Sequence, residues 1–572
     1  MQGRTLSGTA PRAYIGNYKV LSTPSEFGLI DNAGEVIAGI EAAARDGMDV
    51  INMSFGEFET DPTRNVVDDA VDGAADAGVV PVAAAGNSYD EFGRGSIGSP
   101  ATANRVIAVA AVTKSNVLAS FSSSGPTPMS LRMKPQMAAP GASILSSVPA
   151  REGTWASFSG TSMAAPHVAG AVALLRQRHL DWTVDQITSA LAQTGRPVLI
   201  DSDSNKEALA TREGGGLVDL PEANDPLLFA TPSALSFGLL PIGATRRTEV
   251  DVADAGGGLG TWTVAIRMQT PSGGVKLTAP ASVDVPGRLE VVANAQEAID
   301  EADLAGFVIL QRGATSRRIP FWLRTERPRL GPPVRVLTKQ GRSFAGDTRR
   351  GRARVSSYRY PDDPSGVGVS NELPGPEQVF RVRVGGTVAN IGARIVGQAR
   401  GTSVTPRIVF AGDENRLAGV PALPIDVNPY RDSYGDARLV VAANRPAVGA
   451  YDLVFDTKSR AVAGRFTFRL WIDDTTPPRV RLLTQVTRGD VMLSVADGGA
   501  GVDPRSLRAT VDGRDAPVVY TAGRVRVLVD NLARGRHRLV VLVSDYQETK
   551  NSESVVGILP NTTVLRTSFR VR

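Results

Sequence analysis

Apolar residues recur along the first 225 positions in two alternating ways, one with a helical period and one continuous. In 31–47, DNAGEVIAGIEAAARDG, Val36, Ile37, Ile40 and Ala44 share a helical face. Asp31 or Asn32 is placed to cap that helix, and Gly47 to end it. The short apolar run Asp49–Met53 then predicts a strand. Asp61-Pro62-Thr63 predicts the start of a second helix running to Gly78, because the first turn does not use the N–H that Pro lacks. Val79–Ala85 and Arg105–Val112 are apolar throughout and predict strands buried on both faces. Helices are predicted from about Ser162 to Arg178 and from Thr183 to Thr194, the second with a Thr183/Gln186 capping box. Continuous apolar strands separated by helices predict a parallel sheet covered on both faces, hence an α/β unit.

From about residue 226 the pattern changes. Runs such as Phe380–Val384, Leu439–Ala442 and Phe466–Trp471 read as strands, separated by Gly, Pro, Asn and Asp turns with no convincing helix. The Pro-rich stretches Arg327–Pro333 and Asp474–Pro478 read as joints. The expected organisation is an α/β unit at 1–225 and three all-β sandwich modules at 226–331, 332–473 and 474–572.

Composition narrows the chemistry. The chain has 572 residues, 42% hydrophobic and 21% charged, which suits several globular domains and excludes a largely disordered chain. There is no Cys, so disulfides, thiolate metal sites and a cysteine nucleophile are excluded. No apolar stretch is long enough for a membrane-spanning helix. Net charge is +5, with 16 Lys and Arg against 25 Asp and Glu in residues 1–225 and a basic remainder. Only eight of the cations are Lys, and the Arg residues are spread through strands and loops, so nucleic acid is not an expected partner.

Candidate chemistry lies in short segments. In Gly160–Gly170, GTSMAAPHVAG, Ser162 opens a helix where free N–H groups and the positive dipole end favour a nucleophile. In Val79–Asn87, VVPVAAAGN, Asn87 follows a buried strand, where its amide could donate to a developing oxyanion. Asn52–Gly56 (NMSFG), Phe121–Pro126 (FSSSGP), Lys134–Gly141 (KPQMAAPG) and Gly8–Leu21 (GTAPRAYIGNYKVL) complete the set. Together these segments resemble the subtilisin-like serine peptidases over about residues 3–222.

The resemblance implies an incomplete subtilisin-like parallel-sheet domain and a polypeptide substrate. It implies Ser162 as nucleophile and Asn87 as oxyanion donor. Substrate backbone would pair with Ser54, Phe55 and Gly56 on one side and with Ala84, Ala85 and Gly86 on the other. It makes Gly8–Leu21 the strand after the family's histidine helix, and it implies an extracellular full-length parent. The Asp and His motifs of that family precede this strand, which leaves no room for either. A chain written from an internal Met of a longer frame is the simplest account; the others are a true truncation without activity and a binding module that uses only the β domains. The three histidines are no substitutes: His167 packs in the Ser162 helix, His179 ends it, and His537 lies on a β strand.

The β modules resemble immunoglobulin-like and fibronectin-III-like domains that follow such catalytic domains. They leave a cell-surface or matrix ligand open. No cofactor is expected; Asp497, Asp503 and Asp512 raise calcium, but solvated turn carboxylates are the favoured reading. A non-catalytic adhesion or binding protein on a degenerate peptidase scaffold is the alternative from another class.

Overall fold

The computed structural model describes residues 6–21, 23–25, 28–30, 33–57, 59, 65–327, 330–338, 342–351, 375–414, 416–421, 439–483, 490–529, 532–546 and 561–571. A short antiparallel pair, β1 (Thr23–Ser25) and β2 (Gly28–Ile30), precedes α1 (Ala33–Arg45), which buries Val36, Ile40 and Ala43 and stops before Gly47 at φ +76°. The expected caps Asp31 and Asn32 lie outside the described residues, as does Asp61-Pro62-Thr63. After β3 (Val50–Met53), α2 (Val66–Asp76) is capped by Asn65, whose Oδ1 accepts from the N–H groups of Val67 and Asp68. Then follow β4 (Val80–Ala84), α3 (Tyr89–Phe92), β5 (Ile107–Val112), β6 (Met137–Pro140) and the hairpin of β7 (Ile144–Ser147) and β8 (Trp155–Phe158). The unit closes with α4 (Thr161–Arg178), α5 (Val184–Gln193), α6 (Ala210–Glu213) and α7 (Leu220–Asn224).

The strands pair in parallel in the order β3-β4-β5-β6. Alternation splits their side chains between two cores. Val80, Val82, Ala84, Ile107 and Val109 pack on α4 and α5, whereas Ala83, Ala85 and Ala108 pack on α1 and α2. Burial on both faces is why β4, β5 and β6 carry no polar positions, whereas β3 carries the exposed Asn52. The expected strand within Gly8–Leu21 does not form: residues 12–21 are irregular, and Tyr14 and Ile15 are 99% and 88% exposed. A segment becomes a strand only when its backbone finds a ladder partner, and among the described residues β3 pairs with β4 alone. Between this segment, α1, β3 and α4 lies a cavity of about 500 Å³ lined by Ile40, Ile51 and Ala169 among others.

Beyond residue 225 strands dominate. Residues 228–326 form a five-stranded and a four-stranded sheet around Trp262, Phe237 and Phe321. Residues 335–472 form a nine-stranded sheet folded around Phe380, Phe455, Phe466 and Phe468. Residues 479–571 form two four-stranded sheets around Leu493, Val525, Leu539 and Phe569. The α/β unit and the first of these groups share a buried cluster in which Met133 and Ala210 meet Leu239, Ala305, Phe307 and Trp322. Fully buried Glu213 accepts from Arg318 Nη2 at 2.9 Å across the same boundary.

Candidate active site

α4 begins at Thr161 with Gly160 as its N-cap, and a glycine cannot cap with a side chain. Asn87, at the C-terminal end of β4, supplies the missing acceptor from a distant part of the chain. Its Oδ1 accepts from Thr161 N at 2.8 Å and from Thr161 Oγ1 at 3.0 Å. Gly86 N in turn donates to Thr161 Oγ1 at 3.1 Å. An amide whose oxygen is held in this way must turn its NH2 the other way. Asn87 Nδ2 lies 3.4 Å from where a Cβ on Gly160 would stand, so Gly160 leaves open the space in front of the donor.

Ser162, the second residue of α4, is half-buried, and its Oγ donates to Ser54 O at 2.9 Å. The reciprocal bond runs from Ser54 Oγ to Ser162 O at 2.8 Å, and Asn52 Nδ2 donates to Ser54 Oγ at 3.0 Å. The structure therefore brings together Ser162, the segment held by Asn87 and the end of β3. Ser54, Phe55 and Gly56 leave the sheet at the end of β3, and Ala84, Ala85 and Gly86 leave it at the end of β4. The loop 97–99 ties the two: Glu57 exchanges backbone bonds with Ser99 at 2.9 and 2.8 Å, and Gly98 N donates to Ala85 O. The approach is close enough to demand glycine. A Cβ on Gly98 would stand 2.5 Å from Glu57 O, and one on Gly86, at φ +113°, 2.7 Å from Ser123 Oγ.

None of the three histidines hydrogen-bonds Ser162. His167 Nδ1 meets Met163 O at 2.8 Å within α4, His179 stacks on Trp182 and bonds Asn224, and His537 pairs with Asp512 at 2.7 Å. Among the described residues no carboxylate bonds Ser162 Oγ either. Thr161 is the residue that motif reading passed over: it lies inside the serine segment, but only the fold shows that it orients Asn87.

The reading of Asp497, Asp503 and Asp512 as solvated turn carboxylates is corrected for Asp497 and Asp503. Asp503 is fully buried and Asp497 is half-buried, because the turn carrying them folds inward against the Asp474 joint. Carboxylate oxygens of Asp474, Asp497 and Asp545 come within 4.8 Å of one another. Burial pushes the Asp497 carboxyl above its usual range, and neighbouring Asp474 adds to the shift. Asp512 alone is exposed, and its pairing with His537 holds it below the usual range.

Residues 2–216 match the model of the Subtilase family. Subtilisin E of Bacillus subtilis (strain 168) is 40% identical over 188 residues, which is 33% of this chain and 45% of that protein. Subtilisin of Bacillus pumilus is 39% identical over 188 residues, 33% of this chain and 62% of its own length. Subtilisin Savinase of Lederbergia lenta is 37% identical over 187 residues, with 33% and 62% covered. The chain thus spans from under half to about three-fifths of the length of these relatives. No helix among the described residues is long and apolar enough to cross a membrane. In sequence, residues 2–216 are subtilisin-like and match the subtilase family, a family of serine endopeptidases.

Proposed function

We propose that this chain carries the nucleophile side of a serine endopeptidase site. Ser162 attacks the peptide carbonyl to form an acyl-enzyme. Asn87 Nδ2 and the Ser162 backbone N–H stabilise the oxyanion. The backbones of Ser54–Gly56 and Ala84–Gly86 hold an extended polypeptide from its two sides. The observation that carries this reading is the lock of Asn87 Oδ1 on Thr161, the residue before Ser162, which commits the amide oxygen and leaves Nδ2 as the donor. An acyl-transfer serine also needs a base. The described residues offer none in reach, so the chain by itself orients substrate without appreciable turnover.

In the same reading 1–225 is the partial peptidase domain, and 226–331, 332–473 and 474–572 are immunoglobulin-like or fibronectin-III-like modules. Their separate cores, and the paired sheets of the first and third, support this division. The modules place the peptidase on an extracellular surface or matrix. A fluorophosphonate probe tests the proposal, applied to the chain alone and to the chain joined to the N-terminal segment of a subtilisin. Slow labelling alone, rapid labelling when joined and none with Ser162→Ala is the expected result. Rapid labelling of the chain alone would place a base within it. Labelling of neither form would end the assignment of Ser162 as nucleophile and favour a binding scaffold.

A further inference from the structure

The last β unit, residues 474–572, holds fifteen Lys and Arg against ten Asp and Glu, and three of those acids, Asp474, Asp503 and Asp545, are buried. Its surface is therefore more basic than its composition. The longest ladder in the unit pairs Gly535–Ser544 with Thr562–Val571. Alternation turns His537, Leu539, Val541, Val543 and Phe569 into the core. The opposite face carries Arg536, Arg538, Arg566 and Arg570, all exposed. Arg536 stands directly opposite Arg570, Arg538 opposite Ser568, and Arg566 opposite Val540.

Like charges directly opposite one another destabilise a sheet. Little offsets the repulsion: Asp512, beside Arg538 at the end of the neighbouring strand, accepts from the Arg538 N–H at 2.8 Å and pairs with His537, but among the described residues none of the four arginines forms an ion pair, and their one side-chain bond is Arg536 Nε to Ser568 Oγ at 2.9 Å. The unit does pair arginines elsewhere, as with Arg526 and Asp490 at 3.3 Å on the other sheet. A flat cationic face with charges about 5 Å apart across strands and about 7 Å apart along them suits a linear polyanion.

The type of polyanion follows from what else the face presents. Single-stranded nucleic acid is held by aromatic rings on which bases stack. The outward positions beside the arginines are Val540, Leu542, Val564 and Ser568, with no ring among them. A duplex groove admits a helix or a two-stranded ribbon, and the broad face of a four-stranded sheet does not fit it. We propose that this face docks a linear acidic polysaccharide, its carboxylates or sulfate esters lying along the Arg536–Arg570 ladder.

The test is equilibrium binding of the full chain to immobilised heparin across a salt series. Arg536→Gln with Arg570→Gln should weaken binding by about tenfold or more and lower the salt slope by roughly two. Arg481→Gln with Arg524→Gln removes the same charge from the opposite sheet and should change affinity by less than about threefold. Relief of like-charge repulsion means that the first variant should melt no lower than the parent. Should it melt lower, Arg538→Gln with Arg566→Gln carries the same comparison. Equal weakening by the two charge-matched variants would reduce the effect to net charge and overturn the proposal. So would an absence of heparin binding at low salt, or tighter binding to oligothymidylate or to phosphatidylserine vesicles.

Discussion

Asn87 caps α4 from outside its own segment: its Oδ1 accepts the Thr161 N–H at 2.8 Å, in place of the side-chain cap that Gly160 cannot provide. One amide therefore has two jobs, its oxygen holding a helix and its nitrogen facing the proposed oxyanion. Substitution separates them. Asn87→Ala removes both and should cost about 1 kcal/mol of stability, the scale of a lost cap. Asn87→Asp keeps the acceptor, and a carboxylate at a helix N-terminus is favourable, so stability should hold. Both should slow fluorophosphonate labelling measured at about pH 9 by roughly 10²–10³. Urea unfolding alongside labelling checks this. An Asp variant that labels like the parent would show that Nδ2 plays no part.

Ser162 Oγ gives its proton to Ser54 O, a carbonyl that cannot remove it. Casein cleavage by the purified chain should therefore be at background and unchanged by Ser162→Ala. In subtilisin itself, loss of the serine or the histidine costs about a millionfold in kcat. Robust cleavage that Ser162→Ala abolishes would reveal a base contributed by a group not yet recognised.

The buried strands were readable because burial on both faces permits only apolar residues: the runs around Val80–Ala84 and Ile107–Val112 admit no other placement. The capping box of α5 was equally explicit, and both of its bonds are present. Gly8–Leu21 misled, because its apolar residues satisfy a strand pattern while strand formation depends on a neighbour that local sequence does not reveal. Ser162 and Asn87 were singled out as candidates by their motifs. Their connection through Thr161 was not, since it joins residues 74 apart in the chain. The inward turn at Asp497 and Asp503 was hidden for the same reason: Asp and Gly mark a turn without saying which way it faces.

Stability of the α/β unit should pass through a minimum near neutral pH. Asp68 is buried beside Ser99 and Thr102, and burial pushes its carboxyl up to about 7. The folded state then binds the proton more tightly than the unfolded one. This contribution is fully present below the unfolded value, near 3.9, and is lost as pH rises to about 7 at about 1.4 kcal/mol per unit. Lys134 is buried with Nζ on Val106 O at 2.8 Å, and burial pushes it down to about 7. Its contribution has the opposite sign, growing as pH rises from about 7 toward 10.5. Lys134→Met should abolish the alkaline rise and leave the acid limb. Urea midpoints at about pH 5, 7 and 9 check it, and a variant that still gains stability above neutrality would refute the assignment.

The boundary at residue 225 separates two textures of sequence but not two independent bodies. Phe229 packs edge-on against Trp182 of the α/β unit, with ring centroids 5.0 Å apart. Arg317 donates to the carbonyls of Pro226 and Asp225, and Arg318 bridges Glu213 and Glu207 while lying 4.0 Å over the Phe307 ring. A chain ending at 225 would strip Glu213 and Glu207 of Arg318. It would also uncover Met133 and Ala210, which pack against Phe307 and Trp322. Net stability of a domain is only about 5–15 kcal/mol, and among the described residues β3 has a partner on one side alone. Residues 1–225 expressed alone should therefore aggregate, whereas 1–327, which retains the first β sandwich, should be soluble and unfold cooperatively. Size-exclusion chromatography and urea unfolding of the two fragments decide the matter. A monomeric 1–225 with the same midpoint as 1–327 would mean that the sandwich contributes nothing to holding the peptidase unit together.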